Sequence, residues 1–261
     1  MFHAKRSTSL AEPWRTIGGL RMRMVRYQPG TVQPRHCHAE PGLSLVVAGT
    51  IEETSSGSVH RAAAGSLVVK PADCWHADSF GPRGARLVQV MPEGDGVAAP
   101  RAELAYLWCE APRLARLLLG LWNDPSTGQE STELAYWETI ERLLPSVESL
   151  CGAIAPSWWP SALELLDAEA TRTVSVAAIA RRVDVHPVHL ARVCRRQLGC
   201  SVREYLRRRR TLEAWRACEQ NGEPLAAIAA STGFADQAHM TRAFHRELGI
   251  SPARLRRLLQ G

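Results

Sequence analysis

Leu225–Ser251 reads LAAIAASTGFADQAHMTRAFHRELGIS, and it echoes an earlier stretch, Val176–Ser201, which reads VAAIARRVDVHPVHLARVCRRQLGCS. Ala178, Ile179 and Ala180 recur as Ala227, Ile228 and Ala229, 49 residues on; Arg192, Leu198, Gly199 and Ser201 recur as Arg242, Leu248, Gly249 and Ser251, 50 residues on. One residue is thus inserted inside the second copy, where a turn tolerates it. Two copies are too few for a solenoid, which needs roughly three repeats to bury its stacked faces. Each copy reads instead as helix, sharp turn, helix.

In the first copy Val176, Ile179, Ala180 and Val183 fall on one face of a short helix. Asp184 follows as a turn residue able to enter the left-handed region, and its counterpart Gly233 suits that region better. Pro187 then opens a second helix, with Leu190, Val193 and Cys194 as its buried stripe. In the second copy Asp236 predicts an N-cap, Met240, Ala243 and Phe244 point inward, and Gln237, Ala238, Thr241, Arg242 and His245 point out. In this layout the second helix of each unit enters a major groove and shows its N-terminal outward residues to base edges. Between the copies, Ser201 and Glu204 form a capping box that opens a connecting helix running through Trp215 to about Gln220, with Gly222 as a stop. Arg207–Arg210 cannot share one face of that helix, since successive residues turn by about 100°. Phosphate, with Arg208 as the candidate, or acidic groups on a neighbour are their expected partners, the rest being solvated.

Residues from about 162 to 259 resemble the DNA-binding domain of AraC/XylS transcription regulators. The resemblance rests on Ile228-Ala229, Gly233-Phe234, Thr241-Arg242-Ala243-Phe244-His245-Arg246 and Gly249-Ile250-Ser251-Pro252. It implies two helix-turn-helix units on a connecting helix. Its base-reading positions fall on Val188, Ala191 and Arg192 in the first unit, and on Gln237, Ala238, Thr241 and Arg242, with Arg246, in the second. The first recognition helix departs from the polar norm. Val188 and Ala191 cannot hydrogen-bond a base but can touch thymine methyls, which leaves hydrogen-bonded readout to Arg192, helped by His189 or Arg195.

Outside this third the chain changes character. From Arg172 onward 17 arginines face 7 acidic residues, a net +10; the other 171 residues carry 15 basic and 19 acidic groups, a net −4. A coding bias toward arginine explains why only Lys5 and Lys70 are lysines, but not why the two parts differ in sign. A basic module joined to a mildly acidic one is the footprint of a nucleic-acid binder with a second function. The 261 residues favour two domains, and 45% hydrophobic with 22% charged residues is an ordinary globular balance. The most apolar run, Leu114–Trp122, is broken by Arg116 and falls short of the ~18 residues a membrane helix needs. Residues 1–16 contain no apolar core of a secretory signal. Seven scattered cysteines without a C-x-x-C pair read as reduced thiols of a cytoplasmic protein.

Residues 17–92 read as β. Short apolar runs (Leu20–Val25, Leu43–Val47, Leu67–Val69, Leu87–Val90) alternate with Gly and Pro turns, which predicts a small sandwich or barrel. Gly30-x5-His36-x-His38, with Gly49 beyond, and Gly65-x5-Pro71-x4-His76 resemble the two signature motifs of cupins, the small β-barrels that serve as sensory halves of many AraC-type regulators. His36 and His38, two apart on a strand, would face one side; His76 would come from a second strand, with Asp78 on its face. Converging imidazoles suit one divalent ion, zinc first, with nickel, copper or iron as alternatives. The alternative is that these histidines are packed and hydrogen-bonded remnants of a metal site. Two departures from the cupin pattern stand out. Gly42 takes the place of the expected glutamate, with Glu40 out of phase, and Asp73 the place of a glycine. Cys37 should face away from the histidines, while Cys74 shares the parity of His76.

The expected fold is α+β in two domains: a cupin-like effector-sensing barrel over 1–98 and a bipartite helix-turn-helix domain over 159–261. Between them, 99–158 reads as a helical dimerisation or linker segment, after a Gly-rich hinge at 93–100. Leu114, Leu117, Leu118 and Leu121, and again Leu134, Trp137, Ile140 and Leu144, recur at helical spacing. Trp108, Leu118, Trp122 and Trp137 supply an apolar seam either for a homodimer or for packing against the barrel. The implied function is sequence-specific transcription regulation on a double-stranded operator, under a small-molecule or metal effector, with RNA polymerase as a partner if the protein activates. The rival is a cupin-type metalloenzyme fused to a DNA-binding module, and a third reading is a barrel that only dimerises.

Overall fold

The computed structural model describes residues 9–17, 20–39, 42–55, 57–70, 72–92, 107–110, 112–125, 155–172, 175–220 and 222–260. The chain divides into two units. One comprises Met1–Leu144 with Leu248–Ile250 and Arg257–Gly261; the other comprises Pro145–Glu247 with Ser251–Arg256. The hinge at 93–100 and the second periodic run, Leu134 to Leu144 with Trp137, lie outside the described residues, as does Glu40.

The first unit is built on one antiparallel sheet of nine strands among the described residues. They are β1 (Ser9–Ala11), β2 (Arg15–Ile17), β3 (Leu20–Tyr27), β4 (Val32–His36), β5 (Gly42–Ser55), β6 (Ser58–Ala63), β7 (Ser66–Lys70), β8 (His76–Pro92) and β9 (Leu107–Glu110). The two longest strands organise it. The first part of β8 lies against β4 and the end of β5, and its second part against β3 and the start of β5. Register shifts at Val46/Ala48 and Gly49/Ile51 bend β5. At that bend Gly49 has φ +75, and a Cβ on it would lie 1.9 Å from the Gly84 carbonyl oxygen, so only glycine lets the backbones approach this closely. Val25, Val46, Ile51, Val68, Phe80 and Leu87 form the core cluster of this cupin-like barrel, with Tyr27 and Phe80 stacked at 3.7 Å.

Two sequence expectations change here. Strand pairing starts before residue 17: β1, exposed throughout, and β2, buried only at Ile17, join the edge of β3 and are too short to show an alternating pattern. Leu107–Glu110, read as the start of a helical stretch, is a strand paired with β7, which puts Trp108 opposite Val68. Four residues are too few to show a period. Helix α1 (Pro112–Asn123) does follow the helical spacing, and Leu114, Leu118, Leu119, Leu121 and Trp122 are buried within the chain, with the Arg15 guanidinium 4.8 Å from the Trp122 ring.

The second unit is helical: α2 (Trp159–Ala168), α3 (Val176–Arg182), α4 (Pro187–Leu198), α5 (Val202–Gln220), α6 (Leu225–Ser231), α7 (Gln237–Leu248) and α8 (Pro252–Gln260). Leu166, Ile179, Ala180, Leu190, Val193 and Val202 belong to one buried cluster, so α2 to α5 share a core. Ile228, Ala229, Met240, Ala243 and Phe244 are the matching buried side chains of the second copy, and Trp215 of α5 is buried as well. Both sharp turns use the left-handed region, Asp184 at φ 53 and Gly233 at φ 80. A Cβ on Gly233 would also lie 2.4 Å from the Thr171 carbonyl oxygen, a second demand for glycine that Asp184 does not meet. No helix of the described residues is long and apolar enough to cross a membrane.

Candidate functional site

Helix α4 begins where its sequence says it should. The His186 ring accepts a hydrogen bond from the Val188 N–H, Pro187 occupies the first turn, and Gly199 at φ 64 closes the helix. Leu190, Val193 and Cys194 are buried, which turns the opposite face outward: Val188 is 58% exposed, His189, Arg192 and Arg195 are exposed, and Ala191 is half-buried. The His189 ring lies 5.3 Å from that of Trp158 and is steadied by it. Helix α7 is capped by the Asp236 carboxylate, which accepts from the His239 N–H at 2.6 Å. Its exposed residues are Gln237, Ala238, Arg242, His245 and Arg246, while the half-buried Thr241 donates its hydroxyl to the Gln237 carbonyl at 2.9 Å.

Three of the four arginines of the connecting helix meet acidic groups on neighbouring helices, one of the two kinds of partner expected for them. Arg207 and Arg208 both pair with Glu247 of α7, at 2.6 and 3.4 Å. Arg209 pairs with Asp167 of α2 at 3.0 Å, and Arg210 donates to the Ala170 and Arg172 carbonyls. Two arginines therefore reach α7 of the second copy and two reach α2 and the residues just after it, and the run ties both to α5. Arg208, the candidate for phosphate, is committed to a buried carboxylate instead. Asp167 and Glu247 lie about 40 positions from their partners in the chain, a distance at which no helical spacing rule operates.

In the barrel, His36 and His76 are cross-strand partners on β4 and β8, and His38 follows the end of β4. Ring centroids lie 4.3 Å apart for His36–His76, 5.0 Å for His36–His38 and 5.3 Å for His38–His76. One ring nitrogen from each lies within 4.8 Å of the others. The Asp73 N–H donates to the His38 carbonyl at 2.7 Å, tying the two histidine-bearing loops together. Asp73 sits at φ 56, which is why the cupin pattern has glycine there.

Nδ1 of His36 lies 2.8 Å from the Pro34 carbonyl and Nδ1 of His76 lies 2.8 Å from the Cys74 carbonyl. Carbonyls only accept, so Nδ1 carries the proton in both rings and each Nε2 presents a lone pair, the arrangement a metal ligand needs. Nε2 of His76 is buried and has no hydrogen-bond partner. Burial, then the Lys70 ammonium, pushes the His76 imidazole down to about 4, and burial followed by His36 lowers His38. Both rings are thus neutral, ligand-ready imidazoles at neutral pH. The donor set fits a divalent ion.

Asp78 lies against His76, Nε2 to Oδ2 3.8 Å, and with Glu53 and the same His76 it forms a second group of possible metal ligands that overlaps the histidine triad. Lys70 reaches Glu53 at 2.5 Å and Asp78 at 3.2 Å, so two buried carboxylates share one ammonium. Glu53 and Lys70 escaped the sequence reading. The available signal was the parity of β5, which places Glu53 on the buried face with Ile51 and Ser55. Cys37 and His38 both border a cavity of about 560 Å³ inside the barrel, because the strand ends at His36 and its alternation stops there.

A profile of the helix-turn-helix domain family matches residues 179–258. The chain is 32% identical over 83 residues to the probable transcription factor PqrA of Proteus vulgaris, and the match covers 32% of this chain and 68% of that protein. It is 35% identical over 82 residues to the HTH-type transcriptional regulator Rv1931c of Mycobacterium tuberculosis, covering 31% of this chain and 32% of that one. Among solved structures it is similar to ToxT of Vibrio cholerae, at 11% identity and TM-score 0.41, over 93% of this chain and 100% of the other. With paired recognition helices set on a connecting helix, and with two thirds of PqrA matched in sequence, the chain belongs to the AraC/XylS family of DNA-binding transcription regulators.

Proposed function

We propose that this regulator reads a double-stranded operator with Val188, His189, Ala191, Arg192 and Arg195 of α4 and with Gln237, Ala238, Thr241, Arg242 and Arg246 of α7, under the control of a divalent ion or small effector held in the barrel. The outward faces of both helices, set by the buried stripes Leu190/Val193/Cys194 and Met240/Ala243/Phe244, support the DNA half of this reading. The observation that carries the sensory half is the bare, buried Nε2 of His76 beside the pinned ring of His36 and the exposed ring of His38. His36, His38 and His76 would hold zinc, with Asp78 outside the triad as an electrostatic neighbour. When bound, the ion supplies a Lewis-acidic position for an effector oxygen. The division of labour follows: 1–98 senses, 99–158 links or dimerises, and 159–261 binds DNA. The working unit is a cytoplasmic homodimer on paired sites, in keeping with the free thiols of Cys37, Cys74, Cys194, Cys200 and Cys218, and RNA polymerase is its partner if it activates.

The test is elemental analysis of the purified protein together with operator affinity measured with and without zinc. About one ion per chain, lost in His76→Ala, supports the reading; no uptake of zinc, nickel, copper or iron ends it. A second reading, a metalloenzyme fused to a DNA-binding module, draws on the carboxylates of Glu53 and Asp78 near His76. Their pairing with Lys70 argues against a ligand role, since that ammonium would have to be displaced first.

A further inference from the structure

Polar and apolar side chains share the wall of the cavity in the barrel, and one row of polar ones crosses three strands. Arg23 of β3 is the register partner of Gln89 of β8, and Gln89 is in turn the partner of Ser44 of β5. All three side chains line the 560 Å³ cavity, at one level across three adjacent strands. The Arg23 Nε–H donates to the Gln89 Oε1 at 2.8 Å. That bond fixes the amide so that its oxygen is used and its NH₂ is left to donate. The Arg23 guanidinium lies 4.4 Å from the centroid of the Trp14 ring, which holds it by its face and leaves the outer edge of its fork open. Guanidinium fork, amide NH₂ and serine hydroxyl together make a wall rich in donors.

Lys70, the other cation on the cavity, lies between Glu53 and Asp78, whose two carboxylates outweigh its single charge, so Arg23 is the cation left to meet an anion. The contacts made by Arg23 are to a neutral amide and an indole. Beyond the row, Val25, Leu87, Tyr27 and Phe80 give the cavity an apolar end.

We infer that the barrel binds a small organic carboxylate, its anionic end on Arg23, Gln89 and Ser44 and its apolar body against Val25, Leu87, Tyr27 and Phe80. This names the effector class for the sensory site proposed above and rests on that reading of the barrel as a sensor. A guanidinium matches a carboxylate in geometry as well as charge, and a half-enclosed cavity strengthens the pairing over its value in water.

The test is calorimetric titration of the full chain with benzoate, cyclohexanecarboxylate and 3-phenylpropionate, each beside its primary amide, and with inorganic phosphate. At least one acid should bind tenfold or more tighter than its amide, because loss of a charge-assisted hydrogen bond costs about 1.5–3 kcal/mol, roughly 10- to 150-fold. Arg23→Gln should erase that preference while zinc uptake and binding to operator DNA stay as in the wild type. Gln89→Leu, which keeps the guanidinium, should weaken the acid alone and by a smaller factor. Acid preference in protein that takes up no zinc would support the anion site and overturn the metal reading. Equal binding of acid and amide, phosphate binding as tightly as the acids, no binding of any acid, or a preference that survives Arg23→Gln would each overturn this inference.

Discussion

The two helix-turn-helix copies share a backbone plan and differ where they would meet DNA. In α4 the outward face opens with Val188, Ala191 and Arg192; in α7 the equivalent positions are Ala238, Thr241 and Arg242, with Gln237 ahead of them in place of Pro187. Their turns differ too: Asp184 enters the left-handed region at φ 53 with room around it, whereas Gly233 does so against the Thr171 carbonyl. The cap after each recognition helix also diverges. Ser201 exchanges bonds with Glu204 at 3.0 and 3.3 Å, while Ser251 receives the Arg254 N–H at 3.2 Å and, with Arg at that position, gets nothing back. The buried face fixes the fold of both copies, and the outward face is free to diverge. The proposed reading of two unlike half-sites would use that freedom.

The sharpest contrast is expected at the turns. Gly233→Ala places a Cβ into the Thr171 carbonyl at a positive φ and should cost about 3 kcal/mol or more. Asp184→Gly relieves left-handed strain but loosens the unfolded chain, so the two effects should nearly cancel, within about 1 kcal/mol. Urea unfolding followed by circular dichroism checks both; equal losses would mean that the two turns are under the same constraint.

Next comes base reading. Arg242→Ala should cost about 1–3 kcal/mol of operator binding and relax preference at one position of the α7 half-site. Competition binding against single-base operator variants measures it, and a uniform loss over all variants would reassign Arg242 to the DNA backbone. The apolar face of α4 predicts a smaller and chemically distinct effect. Replacing thymine by uracil in its half-site removes only methyl groups, and each methyl packed on Val188 or Ala191 should be worth about 0.8 kcal/mol. The same replacement in the α7 half-site should change little. An equal response in both half-sites would remove the distinction between the helices.

The smallest expected effect is at the caps. The Ser201 backbone N–H, then its hydroxyl, holds the Glu204 carboxyl below its ordinary value. A lowered folded-state value means that the unfolded chain binds the proton more tightly. The stabilisation is therefore present above the ordinary carboxylate range and is lost as pH falls through it. Melting of the wild type should thus decline slightly more on acidification than melting of Glu204→Gln, and Ser251→Ala, which leaves Ser201 and Glu204 in place, should decline as the wild type does.

Much of the DNA-binding domain was legible because its determinants are local. Buried stripes, the Asp184 and Gly233 turns, the Asp236 cap and the Ser201/Glu204 box all operate within a few residues. The histidine spacing was legible too, since each motif is short. What stayed hidden depends on partners brought in from far along the chain. Arg209 finds Asp167, Arg207 finds Glu247, and Arg23 finds Gln89 only after sheet register and helix packing are set. Glu53 stayed hidden because a glutamate in an alternating strand reads as solvent-facing until its register with Asp78 is known.

The central claim is that two unlike helices read one bipartite operator. Selection of bound duplexes from a random pool, followed by affinity measurement of the selected site against a scrambled one, tests it most directly. The account predicts two conserved elements about 10 bp apart, one of them rich in thymine, and at least a thousandfold preference over scrambled DNA at physiological salt, the low end for specific binding. Equal affinity for the selected and scrambled duplexes would contradict it.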